Sequence, residues 1–195
     1  WQSFVPSINA FVADPEVRMI VLTGAGDKAF SAGADISQFE KQRSTGEASE
    51  RYNTTLKTAS AALVECPKPT LAKVRGICIG GGLALSLNCD LRFCADDAVI
   101  RMPAARLGLG YEYAGIKRMV EVIGAANASD LFFSARKIGA AEALRIGLVS
   151  RVFPAVEFDA GFAEYCALIA ENAPMTMAAA KRAIREIGKP DSERD

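Results

Sequence analysis

Apolar positions along this chain recur with two periods, and the alternation between them sketches the fold. Phe4, Ile8, Phe11 and Val12 fall at helical spacing and predict a first helix that stops near Asp14-Pro15. Residues 19–23 (MIVLT) read as a buried strand. Tyr52, Leu56, Ala59, Leu63 and Val64 mark an amphipathic helix that ends before Pro67-Lys68-Pro69. A strand over 70–74 follows, then two further short strands over 90–94 and 98–101. Short helices are expected over 115–123, 125–133 and 140–146, a last strand over 148–152, and terminal helices over 158–171 and 175–187. Three stretches carry neither period. Residues 24–35 read as a loop running over a ligand or as a plain connection, 38–50 as a mobile polar surface segment, and 103–113 as loop. Strands alternating with helices imply an α/β protein.

The stretch 75–90 (RGICIGGGLALSLNCD) interrupts this pattern with three consecutive glycines, Gly80 to Gly82, between a β-branched run and an apolar helix. Glycine resists both strand and helix interiors, so a triple points to unusual backbone geometry or close approach. Leu83, Ala84, Leu85 and Leu87 form the helix. Its first N–H groups have no intrahelical partner and stand at the positive end of its dipole. Without side chains in the way, a ligand oxygen can reach them, which is the makings of an oxyanion or anion site. Tight packing of helix on strand is the alternative reading.

Composition narrows the chemistry. At 195 residues the chain suits one domain, or one with an appendage, and lysine plus arginine balances aspartate plus glutamate at 23 each. Nothing global favours nucleic acid or an anionic membrane. Five scattered cysteines (Cys66, Cys78, Cys89, Cys94, Cys166) without a C-x-x-C pair suggest reduced core residues, hence a cytoplasmic protein; no signal peptide or membrane-length apolar run is found. Histidine is absent altogether. That removes Ser-His-Asp and Cys-His nucleophiles, the H-E-x-x-H zinc site and imidazole acid–base work. Chemistry must run on carboxylates, tyrosines, lysines or backbone dipoles. Gly24-Ala25-Gly26-Asp27-Lys28-Ala29 imitates the dinucleotide fingerprint, but Gly33 and the lack of helical period after it weaken the match.

Residues 21–24 (VLTG), 28–36 (KAFSAGADI), 67–69, 76–90, 103–108 and 140–152 (AAEALRIGLVSRV), in this order, resemble the crotonase superfamily, the enoyl-CoA hydratase/isomerase group. The resemblance implies a spiral of ββα units with C-terminal helices that binds acyl-CoA thioesters and assembles as a homotrimer or hexamer. The core would cover 1–153 and the helical segment 154–195, with further strands before Trp1 and further helices after Asp195 in a longer protein. The thioester oxygen would sit between the N–H groups of Ala34 and Gly81. Such donors favour an enolate by about 3 kcal/mol each. The loop around Lys28, Ala32, Asp35 and Ile36 would cradle CoA, with Gly80 and Tyr111 also at the substrate. CoA enters as part of the substrate, with no further cofactor and no metal.

Two alanines depart from the pattern. Hydratases of this group hold one water between two glutamates; those positions are Ala84 and Ala104 here, and alanine transfers no proton. Glu112, eight residues after Ala104 and flanked by Tyr111 and Tyr113, is the remaining carboxylate. Some isomerases and dehalogenases of the superfamily carry their working acid at that offset. Set between aromatics in a pocket, it would shuttle a proton with a raised pKa; as an exposed loop residue it would do nothing. Asp90 is expected to hydrogen-bond at a strand end. The sequence thus points to proton shuttling or isomerisation rather than two-glutamate hydration. Thioester hydrolysis, decarboxylation or non-catalytic acyl-CoA binding are the alternatives.

Overall fold

The computed structural model of the chain describes residues 3–33 and 46–194, the side chains of 46–49 and 51–53 excepted. After helix α1 (Phe4–Ala13), each turn of the chain lays one strand in each of two sheets and then a helix. The first turn is β1 (Ile20–Thr23), β2 (Ala29–Ser31) and α2 (Gly46–Glu65). The second is β3 (Thr70–Val74), β4 (Ile77–Ile79) and α3 (Gly81–Leu87). The third is β5 (Leu91–Ala95), β6 (Val99–Arg101) and α4 (Tyr113–Ser134). Strand β7 (Lys137–Gly139), helix α5 (Ala140–Arg145) and strand β8 (Arg151–Phe153) close the two sheets, and α6 (Phe158–Ala170) and α7 (Pro174–Ile187) follow. The sheet orders are β1-β3-β5-β8, all parallel, and β2-β4-β6-β7, with β7 antiparallel to β6. This is the α/β spiral of ββα units that the resemblance implied.

The first sheet is covered on both faces, which explains why its strands read as continuous apolar runs. Register pairs Leu71 with Leu91 and Lys73 with Phe93, so the odd positions share one face. There Leu71, Phe93 and Ala95 pack under Phe158 and Phe162 of α6. Phe93 meets Phe162 edge-on with ring centroids 5.4 Å apart. The even positions Ala72, Val74 and Cys94 join the main core with Leu63 of α2, Leu83 and Leu87 of α3, Ile100 and Met119. All five cysteines are unpaired, four of them buried. Burial pushes the Cys78, Cys89 and Cys94 thiols up to about 12.

Asp90 is the structural acid the sequence suggested. Its carboxylate accepts from the backbone N–H and hydroxyl of Thr70 (2.7 and 2.8 Å) and meets the Lys181 ammonium at 2.6 Å. Lys181, buried on α7, also donates to Lys68 O. A buried cation thereby fastens the last helix to the ends of β3 and β5.

Three expectations need correction. The 24–35 loop contains strand β2; its only buried side chain is Phe30. Residues 46–50, expected within a mobile segment, open helix α2, while 34–45 lie outside the described residues. The two helices expected over 115–123 and 125–133 are both present, joined within α4 across a kink at Gly124 (φ 76°, ψ 159°). The last strand starts at Arg151 rather than 148: Leu148 and Val149 are buried, but their N–H groups close the α5 turn on Ala143 O. Strand β7 was not foreseen.

Candidate active site

The glycine triple folds into the junction of β4 and α3. Gly80 caps α3 with φ 55° and ψ −115°, a conformation open to glycine alone. Its N–H is spent on Arg101 O (3.0 Å) and its carbonyl receives Ala84 N–H (3.0 Å). Gly81 begins the helix, is exposed, and its N–H has no protein acceptor among the described residues. Gly82 is buried against β2, where a Cβ would fall 2.6 Å from the Ser31 Cβ and carbonyl oxygen. Gly33 lies beside this helix start with φ +96°, and a Cβ on it would stand 3.3 Å from Gly81 N.

The far end of α3 is held by two guanidinium groups that the sequence reading missed. Arg92 donates to Ser86 O (3.3 Å), Cys89 O (2.8 Å) and Leu148 O (2.7 Å), and Arg118 donates to Leu87 O (2.8 Å). Cations at a helix C-terminus complement its dipole. Arg92 is buried with no carboxylate partner among the described residues; burial first, then the neighbouring Arg118 charge, push it down to about 10. A lone arginine inside an apolar strand run was the available signal.

The two alanines flank the same junction. Ala84 is half-buried on α3, and Ala104 is buried behind Pro103, whose ring approaches the Cβ position of Gly80 at 3.7 Å. A turn of 3-10 helix (Ala105–Leu107) then leads through Leu109 N–H to Ala104 O (3.0 Å) and on to Tyr111. Tyr111 is half-buried; its ring meets Phe132 edge-on at 5.1 Å, and burial pushes its phenol up to about 12. Glu112 is the N-cap residue of α4, yet its side chain makes no capping hydrogen bond. It is exposed and lies 3.4 Å from the Lys57 ammonium of α2. The enclosure between two aromatics that the sequence suggested is absent among the described residues: Tyr111 turns inward, whereas Tyr113 is 80% exposed.

Of the other expected site residues, Lys28 and Ala32 are exposed on the segments flanking β2, and Lys28 has no ion-pair partner among the described residues. Ala34, Asp35 and Ile36 lie outside the described residues. The structure therefore brings Gly80, Gly81, Ala84 and Ala104 together, with Gly33 leading toward Ala34. No group of three or more potential metal ligands occurs among the described residues. No described helix is long and apolar enough to cross a membrane.

The enoyl-CoA hydratase/isomerase family model matches residues 2–193, and the chain belongs to that family. It is 36% identical over 171 residues to a short-chain-enoyl-CoA hydratase of Clostridium acetobutylicum, covering 88% of this chain and 65% of that one. It is 36% identical over 193 residues to the human mitochondrial Delta(3,5)-Delta(2,4)-dienoyl-CoA isomerase, covering 93% and 58%. An enoyl-CoA hydratase/carnithine racemase from Magnetospirillum magneticum superposes with a TM-score of 0.95 at 30% identity, over 98% of this chain and 72% of that one. An enoyl-CoA hydratase from Bacillus anthracis gives 0.90 at 31%, over 97% and 73%. The chain spans between 58% and 68% of the length of such curated relatives. The fold is that of the crotonases.

Proposed function

We propose that this chain is an acyl-CoA thioester enzyme of the hydratase/isomerase type that stabilises a thioester enolate and moves a proton with Glu112. The observation that carries this reading is the Gly81 N–H at the start of α3, without a protein acceptor among the described residues, with Gly33 packed beside it. Gly81 and Ala34 would donate to the thioester oxygen, making the α-carbon acidic. Glu112 would take the α-proton and return it at the γ-carbon, shifting the double bond. Ala84 and Ala104 cannot activate a water, which argues against two-glutamate hydration. The hydratase and isomerase names of the relatives support a CoA thioester as substrate. Lys28, Ala32, Asp35 and Ile36 are proposed to cradle its CoA moiety, with Gly80 and Tyr111 against the acyl end. This chemistry calls for no cofactor beyond the CoA of the substrate.

A homotrimer or hexamer is proposed for the assembly, because Leu168, Met175, Ile184 and Ile187 leave apolar surface on α6 and α7. The five unpaired thiols suit a reducing compartment, and the cytoplasm is proposed.

One observation favours a second reading. Glu112 is exposed and ion-paired, which suits hydrolysis or decarboxylation run by the oxyanion site alone, or binding without chemistry. Turnover on a panel of enoyl-, malonyl- and β-keto-CoA thioesters separates these. Double-bond migration in an enoyl-CoA is the expected result. Release of free CoA, loss of CO2, or binding without turnover would replace the reading.

A further inference from the structure

We propose that Lys57 is a positioning residue for Glu112, an inference that rests on the reading of Glu112 as the proton carrier. The Glu112 backbone is fixed by its place at the head of α4, where its carbonyl accepts from Gly115 N–H (3.1 Å) and Ile116 N–H (3.2 Å). Its side chain is a different matter. Acidic residues at such positions usually turn back onto the first N–H groups of their own helix. This one does not, so nothing within α4 restrains its three side-chain torsions. The carboxylate reaches across to α2 instead and meets the Lys57 ammonium at 3.4 Å.

The cations of α4 itself are engaged elsewhere: Lys117 and Arg118 both pair with Glu121, at 3.9 and 3.3 Å. Arg118 is further committed to Leu87 O. Lys57 is thus the cation that holds Glu112 among the described residues. Its helix is well anchored for the purpose, since Ala59 and Leu63 of α2 are fully buried. A general acid or base works only when its oxygen stays within reach of the reacting carbon. A tether from a second, packed helix, with the ammonium 3.4 Å from Oε1, narrows the carboxylate's range. The pair is exposed to solvent, so its effect is modest.

The test is a double-mutant cycle read in kcat and KM on whichever enoyl-CoA the protein turns over. Lys57→Met lowers kcat about 2- to 5-fold with KM unchanged. Lys57→Arg, which keeps the charge and the reach, retains the parental kcat. In the Glu112→Gln background Lys57→Met has no further effect, an outcome that general damage to α2 would not produce. Equal losses in both backgrounds overturn the positioning role, as does a rise in KM with kcat unchanged, which would make Lys57 a substrate-binding cation. A Glu112→Gln variant as active as the parent overturns the proton-transfer reading itself, and the role of Lys57 with it.

Discussion

Gly33 and Gly81, 48 residues apart in sequence, touch: a Cβ on Gly33 would stand 3.3 Å from the Gly81 nitrogen and 3.1 Å from Ile79 O. The chain entering Ala34 therefore runs against the start of α3, and only a glycine lets it do so at φ +96°.

Gly81→Pro isolates the donor. The position is the first of its helix, where proline's fixed φ is tolerated and the missing N–H breaks no hydrogen bond among the described residues. Activity should fall by about 10²- to 10³-fold, while circular dichroism shows the parental fold. A folded variant with parental kcat would mean that the N–H serves no reacting oxygen.

Gly115→Ala should destabilise, against the usual gain of about 1 kcal/mol for that change within a helix. A Cβ at Gly115 would lie 2.4 Å from the Tyr111 ring, which also packs edge-on against Phe132. The ring must move, and a loss of about 1 to 3 kcal/mol follows from overpacking. Urea unfolding measures it, and an unchanged midpoint would show that Tyr111 swings out freely.

The thiols make a test independent of catalysis. The thiolate is the reactive form, and burial pushes Cys78, Cys89 and Cys94 up to about 12. At pH 8 about one in 10⁴ of each is ionised. Cys166, the least buried, should react first with a thiol reagent, and the others only after unfolding. Since these pKa values lie above those of the unfolded chain, their stabilising contribution is complete below about pH 9 and is lost as pH rises toward 12. Rapid labelling of more than one thiol at pH 8 in the native protein would contradict the packing around β4 and β5.

The sequence made the architecture legible where many side chains share one periodicity. Helix α2 carries its buried stripe through Ala59 and Leu63, and Gly124 breaks α4 between the two helices expected there. Strands β2 and β7 escaped because each has three residues and one buried side chain, Phe30 or Ile138, and neither holds a β-branched pair such as Val99-Ile100, which marked the equally short β6. Leu148 and Val149 misled for the opposite reason, being buried without belonging to a strand. In the site, the glycine triple was readable because backbone conformation selects glycine directly. The partners of Arg92 and Lys57 were not, since Leu148 and Glu112 reach them only through the folded packing of separate elements. The exposure of Glu112 and Tyr113 likewise follows from how the head of α4 sits in the folded chain, which no local pattern encodes.

The most direct test of the account is hydrogen exchange at the substrate α-carbon in D2O, followed by NMR on a 3-enoyl-CoA thioester, whose α-hydrogens lie between the carbonyl and the double bond. The parent protein should exchange that hydrogen, and Glu112→Gln, which keeps the size and removes the titrating group, should slow exchange by about 10²-fold while thioester binding persists. Exchange at the parental rate in Glu112→Gln, or none in the parent with thioester bound, would contradict enolate formation with Glu112 as the proton carrier.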